Sequence, residues 1–218
     1  MGDFDGDVIL RNLPLLWEGM QLTLLLTLLA MVGGIVLGTL LALARLSGFG
    51  PLSFVATSYI NFFRSLPLIL VIFWFYFLVP LALGRPVGGF YSVLIAFTLF
   101  EAAYYAEIIR AGIISVGRGQ VAAARALGMR YHQVMGDVVL PQAFRAMTPL
   151  LLTQGIILFQ DTSLVYVVGL RDFLTTAELI ASRDGRLVEM FLFVAGTYFV
   201  ICFLASRGVR VLQRRMAK

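Results

Sequence analysis

The sequence predicts an all-α integral membrane protein with five transmembrane helices, N-terminus outside and C-terminus inside, and a structured cytoplasmic loop between spans three and four. Three observations lead there. Sixty per cent of the 218 residues are hydrophobic, only 13% are charged, and the mean hydropathy is +0.93. A soluble domain is about a quarter charged, so most of this surface faces lipid. The apolar residues also gather into stretches long enough to cross a bilayer, which takes about 20 residues in a helix. Finally, the basic residues, all Arg except Lys218, sit in short runs between those stretches. That pattern is set by membrane topology, and it excludes nucleic acid as a partner.

Each span has its own signature. Between Glu18 and Arg45 lie 26 uncharged residues, giving a first span over residues 20–44. Ser47-Gly48-Phe49-Gly50-Pro51 then breaks the pattern. A second stretch over 54–83 carries Arg64 and Pro67, which implies a tilt or kink, and ends at Gly84-Arg85-Pro86. The third span covers 89–113 with Glu101 and Glu107, the fourth covers 146–170 with Asp161, and the fifth covers 188–210. Glycines 33, 34 and 38 in the first span leave room for close helix approach. With the N-terminus outside, 11 basic residues fall inside and five outside, and Arg64 lies within a span. The positive-inside rule therefore gives N-out, C-in. The chain reads as a single domain over 1–218.

Chemistry other than transport finds little support in the residues. Cys202 is the one cysteine and His132 the one histidine, so neither a disulfide nor a zinc site can be assembled. The start, with Asp3, Asp5 and Asp7, is acidic where a signal peptide is basic. No Ser–His pair lies within the spans and no second Asp accompanies Asp161, which disfavours an intramembrane enzyme. An ion channel subunit is a further class, but it leaves the long loop unexplained.

That loop, residues 115–145, is too long for a simple connection. Residues 119–128 read as an Ala-rich helix closed by Gly128, and a second helical stretch over 131–140 stops at Pro141. On the short helix, Val121, Ala124 and Leu127 share a face suited to close docking. Within the spans, ionisable residues are functional candidates because each is costly to bury. Gln154 and Asp161 are seven apart and share a helix face, while Gln160 points elsewhere. Glu101, Tyr104 and Tyr105 share a face of the third span. Glu101 has two readings, contact with a substrate ammonium or an ion pair with Arg64. Arg64 could bind a carboxylate through its planar fork. Glu107 and Arg110 read as a local helix pair.

The loop segment Gly119-Gln120-Val121-Ala122-Ala123-Ala124-Arg125-Ala126-Leu127-Gly128, followed by Val139-Leu140-Pro141-Gln142-Ala143, resembles the EAA loop of ABC-importer permeases. Further matches are Phe62-Phe63-Arg64-Ser65-Leu66-Pro67-Leu68, Ala102-Ala103-Tyr104-Tyr105-Ala106-Glu107 and Asp161-Thr162-Ser163-Leu164-Val165. Together they resemble the polar amino-acid permeases (the histidine, glutamate and arginine type) and look most like glutamate/aspartate permease subunits. The resemblance implies a transport subunit of the bacterial inner membrane, without enzyme activity of its own. It implies a loop helix that couples to a cytoplasmic ABC ATPase dimer, through Gly119, Ala122, Ala123, Ala124, Arg125, Gly128 and Pro141. Ala122 stands where the motif has Glu, so a salt bridge from that position does not carry over. No phosphate-binding loop is present, so the chain binds no cofactor, and ATP and Mg belong to the partner ATPase. The other implied partners are a second permease, identical or homologous, a periplasmic substrate-binding protein and membrane lipid. Substrate-path candidates are Arg64, Glu101, Tyr104, Gln154, Gln160, Asp161 and Ser163. The alternative substrate class is another polar or a basic amino acid.

Overall fold

The computed structural model describes residues 5–216, so Gly2, Asp3 and Lys218 lie outside the described residues. Among the described residues every regular element is helical: α1 (Asp7–Arg11), α2 (Leu13–Leu46), α3 (Gly50–Arg64), α4 (Leu68–Leu83), α5 (Gly89–Ile114), α6 (Arg118–Ala126), α7 (Tyr131–Val168), α8 (Phe173–Asp184) and α9 (Leu187–Met216). Hydrocarbon offers backbone groups no hydrogen-bond partner, and a helix satisfies its own. Helices α2, α5, α7 and α9 are each long and apolar enough to cross a membrane, and α3 with α4 makes a fifth span if the two are taken together. Helix α2 has 34 residues, on the order of 50 Å at 1.5 Å per residue, and so overruns the expected 20–44 span at both ends. Leu28, Val32, Val36, Leu40 and Leu43 make an exposed apolar stripe along it. Such a surface is stable only against lipid or another subunit.

Prolines decide where the spans break. The second apolar stretch is two helices, because Pro67 takes extended geometry (φ −65°, ψ 133°) and disfavours helix at the residue before it. The carbonyls that α3 leaves open are bonded locally: Ser65 donates its N–H to Asn61 and Phe62 at 3.1 Å and its Oγ to Asn61 at 2.8 Å. Pro141 acts differently from the expectation. It does not end the loop's second helix; α7 runs on through it to Val168. A π-helical turn, Val134–Val139, precedes it, and another, Trp74–Leu78, precedes Pro80 inside α4. Widening the helix just ahead of a proline accommodates the missing N–H and relieves the clash of its ring with the preceding turn.

The described chain forms two compact units. One comprises residues 5–32, 67–98 and 155–206. Its core joins Leu16 and Met20 of α2 to Phe159, Phe173, Ile180, Met190 and Val194. Helix α8 falls between the expected fourth and fifth spans, where the sequence is more polar. It is capped by buried Asp172, which accepts the N–H groups of Thr175 (2.9 Å) and Leu174 (3.2 Å), while Thr23 Oγ1 accepts that of Phe173 (3.1 Å).

The other unit comprises residues 33–66, 99–154 and 207–216. Its core includes Ala42, Ile60, Ala106, Ile109 and Met147. Here α2 meets α5 at Gly34 and Gly38. A Cβ on Gly38 would lie 2.8 Å from Tyr105 Cβ and 2.9 Å from the Ala102 carbonyl, both unable to move freely. Gly38→Ala should therefore lower stability by about 1–3 kcal/mol through overpacking. Gly196→Ala, with nothing within 4 Å, should cost nothing. Melting temperatures of the two variants in the same detergent check the contrast.

Candidate functional site

The strongest polar feature inside the spans is Glu101 on α5, which is 0% exposed. Its carboxylate accepts both available contacts from one amide, Gln154 Nε2, at 3.1 and 3.3 Å. Gln154 comes from α7, so the pair ties two spans together. One turn on from Glu101, Tyr105 is fully buried, and its Oη makes no hydrogen bond among the described residues. Burying a carboxylate and a phenol side by side in an apolar unit is costly, which makes the place the leading candidate site. Arg64, which one of the two readings of Glu101 paired with that carboxylate, reaches the same helix through an aromatic ring: its guanidinium lies over the Tyr104 ring, 5.6 Å from the centroid. Tyr104 in turn packs against Phe100, with centroids 5.2 Å apart. Arg64 is exposed, so this contact is worth about 0.5–1 kcal/mol and leaves its fork of donors available. Arg64, Glu101, Tyr104 and Gln154 thus belong to one unit.

Glu107 does more than the local pair with Arg110. Arg45 of α2 also donates to it, Nη1 to Oε2 at 2.5 Å, and Arg110 Nε donates to the same oxygen at 3.1 Å. The carboxylate therefore bridges two helices. Sequence spacing could not reveal this, because Arg45 is 62 positions away.

The remaining candidates lie in the other unit. Asp161 is half-buried and makes no hydrogen bond or ion pair among the described residues. It stands where α7 tightens into the 3₁₀ stretch Thr162–Val168. Ser163 spends its hydroxyl on the Gln160 carbonyl at 2.8 Å, and the Gln160 side chain is exposed. Asp172 was missed by the sequence reading, although an Asp directly before Phe173-Leu174 is an N-cap signal. Burial pushes its carboxyl up from the usual range, against the pull of the Thr175 and Leu174 hydrogen bonds.

In the loop, Gly128 closes α6 in the left-handed region at φ +79°. Its N–H reaches the Arg125 carbonyl at 2.9 Å, and the Met129 N–H reaches Ala124 at 3.2 Å, the two bonds of a Schellman ending. The face assignment needs correcting. Val121 and Ala124 do not point outward; they pack with Val134 and Val139 of α7. A short amphipathic helix spends its apolar side on its nearest neighbour. What α6 presents outward is Gly119, Ala122, Ala123, Arg125 and Leu127, the last 83% exposed, with Gly128 and Pro141 also exposed.

With this geometry in hand, comparison with known proteins is decisive. The family described as "Binding-protein-dependent transport system inner membrane component" matches residues 34–218. The chain belongs to that family. Among its relatives, the glutamate/aspartate import permease protein GltK of Escherichia coli is 53% identical over the full length of both chains. The probable glutamine ABC transporter permease protein GlnM of Bacillus subtilis is 37% identical over 97% of each. A chain from a solved amino acid ABC transporter with histidines superposes with a TM-score of 0.92 at 33% identity, covering 98% of this chain and 100% of that one. The present chain is therefore an ABC importer permease of a bacterial inner membrane, built on multiple spans.

Within this permease the Glu101–Gln154 contact makes a direct prediction. Gln154→Leu removes the amide and leaves a buried carboxylate one partner short. Stability should fall by about 1–3 kcal/mol, and Gln154→Glu, which sets two carboxylates face to face, should be worse. Thermal unfolding of the purified variants at neutral pH checks the order.

Proposed function

We propose that this chain is the membrane-spanning subunit of an ATP-driven importer for acidic amino acids, glutamate and aspartate. The observation that carries the reading is the 53% identity with the glutamate/aspartate import permease over the full length of both chains. The chain sits N-out and C-in as five spans, with α3 and α4 together forming the second. It works beside a second permease, receives its ligand from a periplasmic binding protein, and is driven by an ABC ATPase dimer that holds the ATP and Mg. As a permease domain over 1–218 it performs no chemical step of its own.

The residues take complementary roles. A glutamate ligand carries one ammonium and two carboxylates. Glu101, held in place by Gln154, supplies the anion for the ammonium. Arg64, with its donor fork open, supplies the cation for a carboxylate. Tyr104 sets the position of Arg64, and in the other unit Gln160, Asp161 and Ser163 are path residues in their own right. Offering both signs of charge raises selectivity for a charged zwitterion over neutral solutes, since a ligand lacking the ammonium leaves the buried Glu101 charge unmatched. At the cytoplasmic end α6 docks on the ATPase through its outward residues, Gly119, Ala122, Ala123 and Arg125, with Leu127 as the apolar anchor. Ala124 acts from behind by holding α6 on α7, and Pro141 is an exposed contact on α7. Because Ala122 replaces a carboxylate, docking relies on shape and on Arg125.

Two variants test the halves of this reading separately. Glu101→Gln keeps the shape and the Gln154 contact but removes the charge. Glutamate uptake should drop about tenfold or more, the effect of losing one charge-assisted bond, with the complex still assembled. Gly128→Asp strains the left-handed turn and adds a charge beside the docking surface. It should insert normally yet lose both transport and the stimulation of ATP hydrolysis by loaded binding protein, measured in proteoliposomes. Full uptake by Glu101→Gln would remove Glu101 from the path, and full stimulation in Gly128→Asp would remove α6 as the coupling element.

A further inference from the structure

A groove of about 520 Å³ opens between the first turns of α2 and helix α8, lined by Leu15, Glu18, Leu22, Arg171, Leu179 and Arg183. It contains none of the residues assigned above to transport or coupling. Its charges come first. Arg183 is already committed: its Nε donates to Asp184 at 2.7 Å, and its Nη2 donates to Asp184 at 3.0 Å and to Asn12 at 2.8 Å. That leaves Glu18 and Arg171, both exposed and neither side chain in a hydrogen bond or ion pair among the described residues; the Arg171 carbonyl accepts from Thr176 Oγ1 at 3.3 Å. One free anion and one free cation in the same groove complement a zwitterion, and they disfavour a ligand of net negative charge.

The walls and the depth narrow the ligand further. Leu15 is 43% exposed and Leu179 50%, so the groove offers hydrocarbon that a small water-soluble zwitterion would not cover. Glu18 also marks the point where the uncharged run of α2 begins, and its neighbour Trp17 is 58% exposed. An exposed tryptophan at the end of an apolar span sits at the headgroup level. The charged end of the groove therefore lies among headgroups, and Leu22, one turn farther into the uncharged run, faces the acyl region.

We propose that this groove binds a zwitterionic glycerophospholipid with a primary ammonium, of the phosphatidylethanolamine class. The ammonium meets Glu18, the phosphate meets Arg171, and an acyl chain lies along Leu22 and Leu179. A primary ammonium brings N–H donors that a carboxylate can accept, which a choline headgroup lacks. An anionic lipid would satisfy Arg171 but set its charge near Glu18.

The test uses the assembled transporter, exchanged into equimolar phosphatidylethanolamine, phosphatidylcholine and phosphatidylglycerol, with retained lipid read by native mass spectrometry. Wild type should retain phosphatidylethanolamine preferentially. Glu18→Gln and Arg171→Gln should each lower that retention about tenfold, the loss of one charge-assisted hydrogen bond. Arg171→Lys, which keeps the cation, should preserve it, and this separates loss of charge from misfolding. Equal retention of the three lipids by wild type, unchanged retention in both neutral variants, or displacement of the lipid by free glutamate would each overturn the proposal.

Discussion

Hydrocarbon cannot hydrogen-bond to a peptide group, and the architecture of this chain follows from that constraint. Long helices are the response where the sequence is uniformly apolar, as in α2 and α9. The informative places are those where a residue cannot take part in the helix ladder. Pro67 splits one apolar stretch in two, with Ser65 bonding back to the carbonyls of α3. Pro80 and Pro141 are instead carried within helices, each preceded by a π-helical turn. The same residue type thus ends one helix and is absorbed by two others. A widened preceding turn is one way to carry a proline, and Pro149 is carried within α7 in regular α-helix without one.

Side-chain polarity obeys the same constraint. Glu101 is completely buried, yet bonded by Gln154, and Glu107 is shared between Arg45 and Arg110. One pair links α5 to α7 and the other links α5 to α2, so α5 is the helix through which charge is organised in its unit. Gly34 and Gly38 let α2 approach that same helix closely enough for contact with Tyr105. A buried carboxylate with an uncharged partner is weakly compensated. That makes Glu101 a better candidate for meeting a passing cation than Glu107, whose charge is already balanced twice over.

Much of this was legible in the sequence. The spans, the structured loop and the ending of α6 at Gly128 follow from hydropathy, length and glycine chemistry. The family followed from motifs around Arg64, Tyr104, the loop and Asp161. Other features depend on contacts between residues far apart in the chain. Arg45 with Glu107 is one, and Gln154 with Glu101, which the spacing rules place on separate helices, is another. Pro141 was misread because local rules treat proline as a helix stop, and only the π turn reveals how the helix continues. The outward face of α6 was misjudged for a similar reason. Its small apolar side suits a partner, but α7 is nearer and takes it. Helix α8 was hidden by its polar composition, although its cap at Asp172 could have been found.

The central claim is that these helices form a conduit selective for acidic amino acids. The most direct measurement is ATP-driven uptake of labelled glutamate into proteoliposomes holding the wild-type chain with its partner permease, ATPase and binding protein. Unlabelled competitors should then be added in turn. The account predicts strong competition by aspartate and little by arginine, glutamine or histidine. Uptake that arginine or glutamine suppresses as well as aspartate does would contradict it.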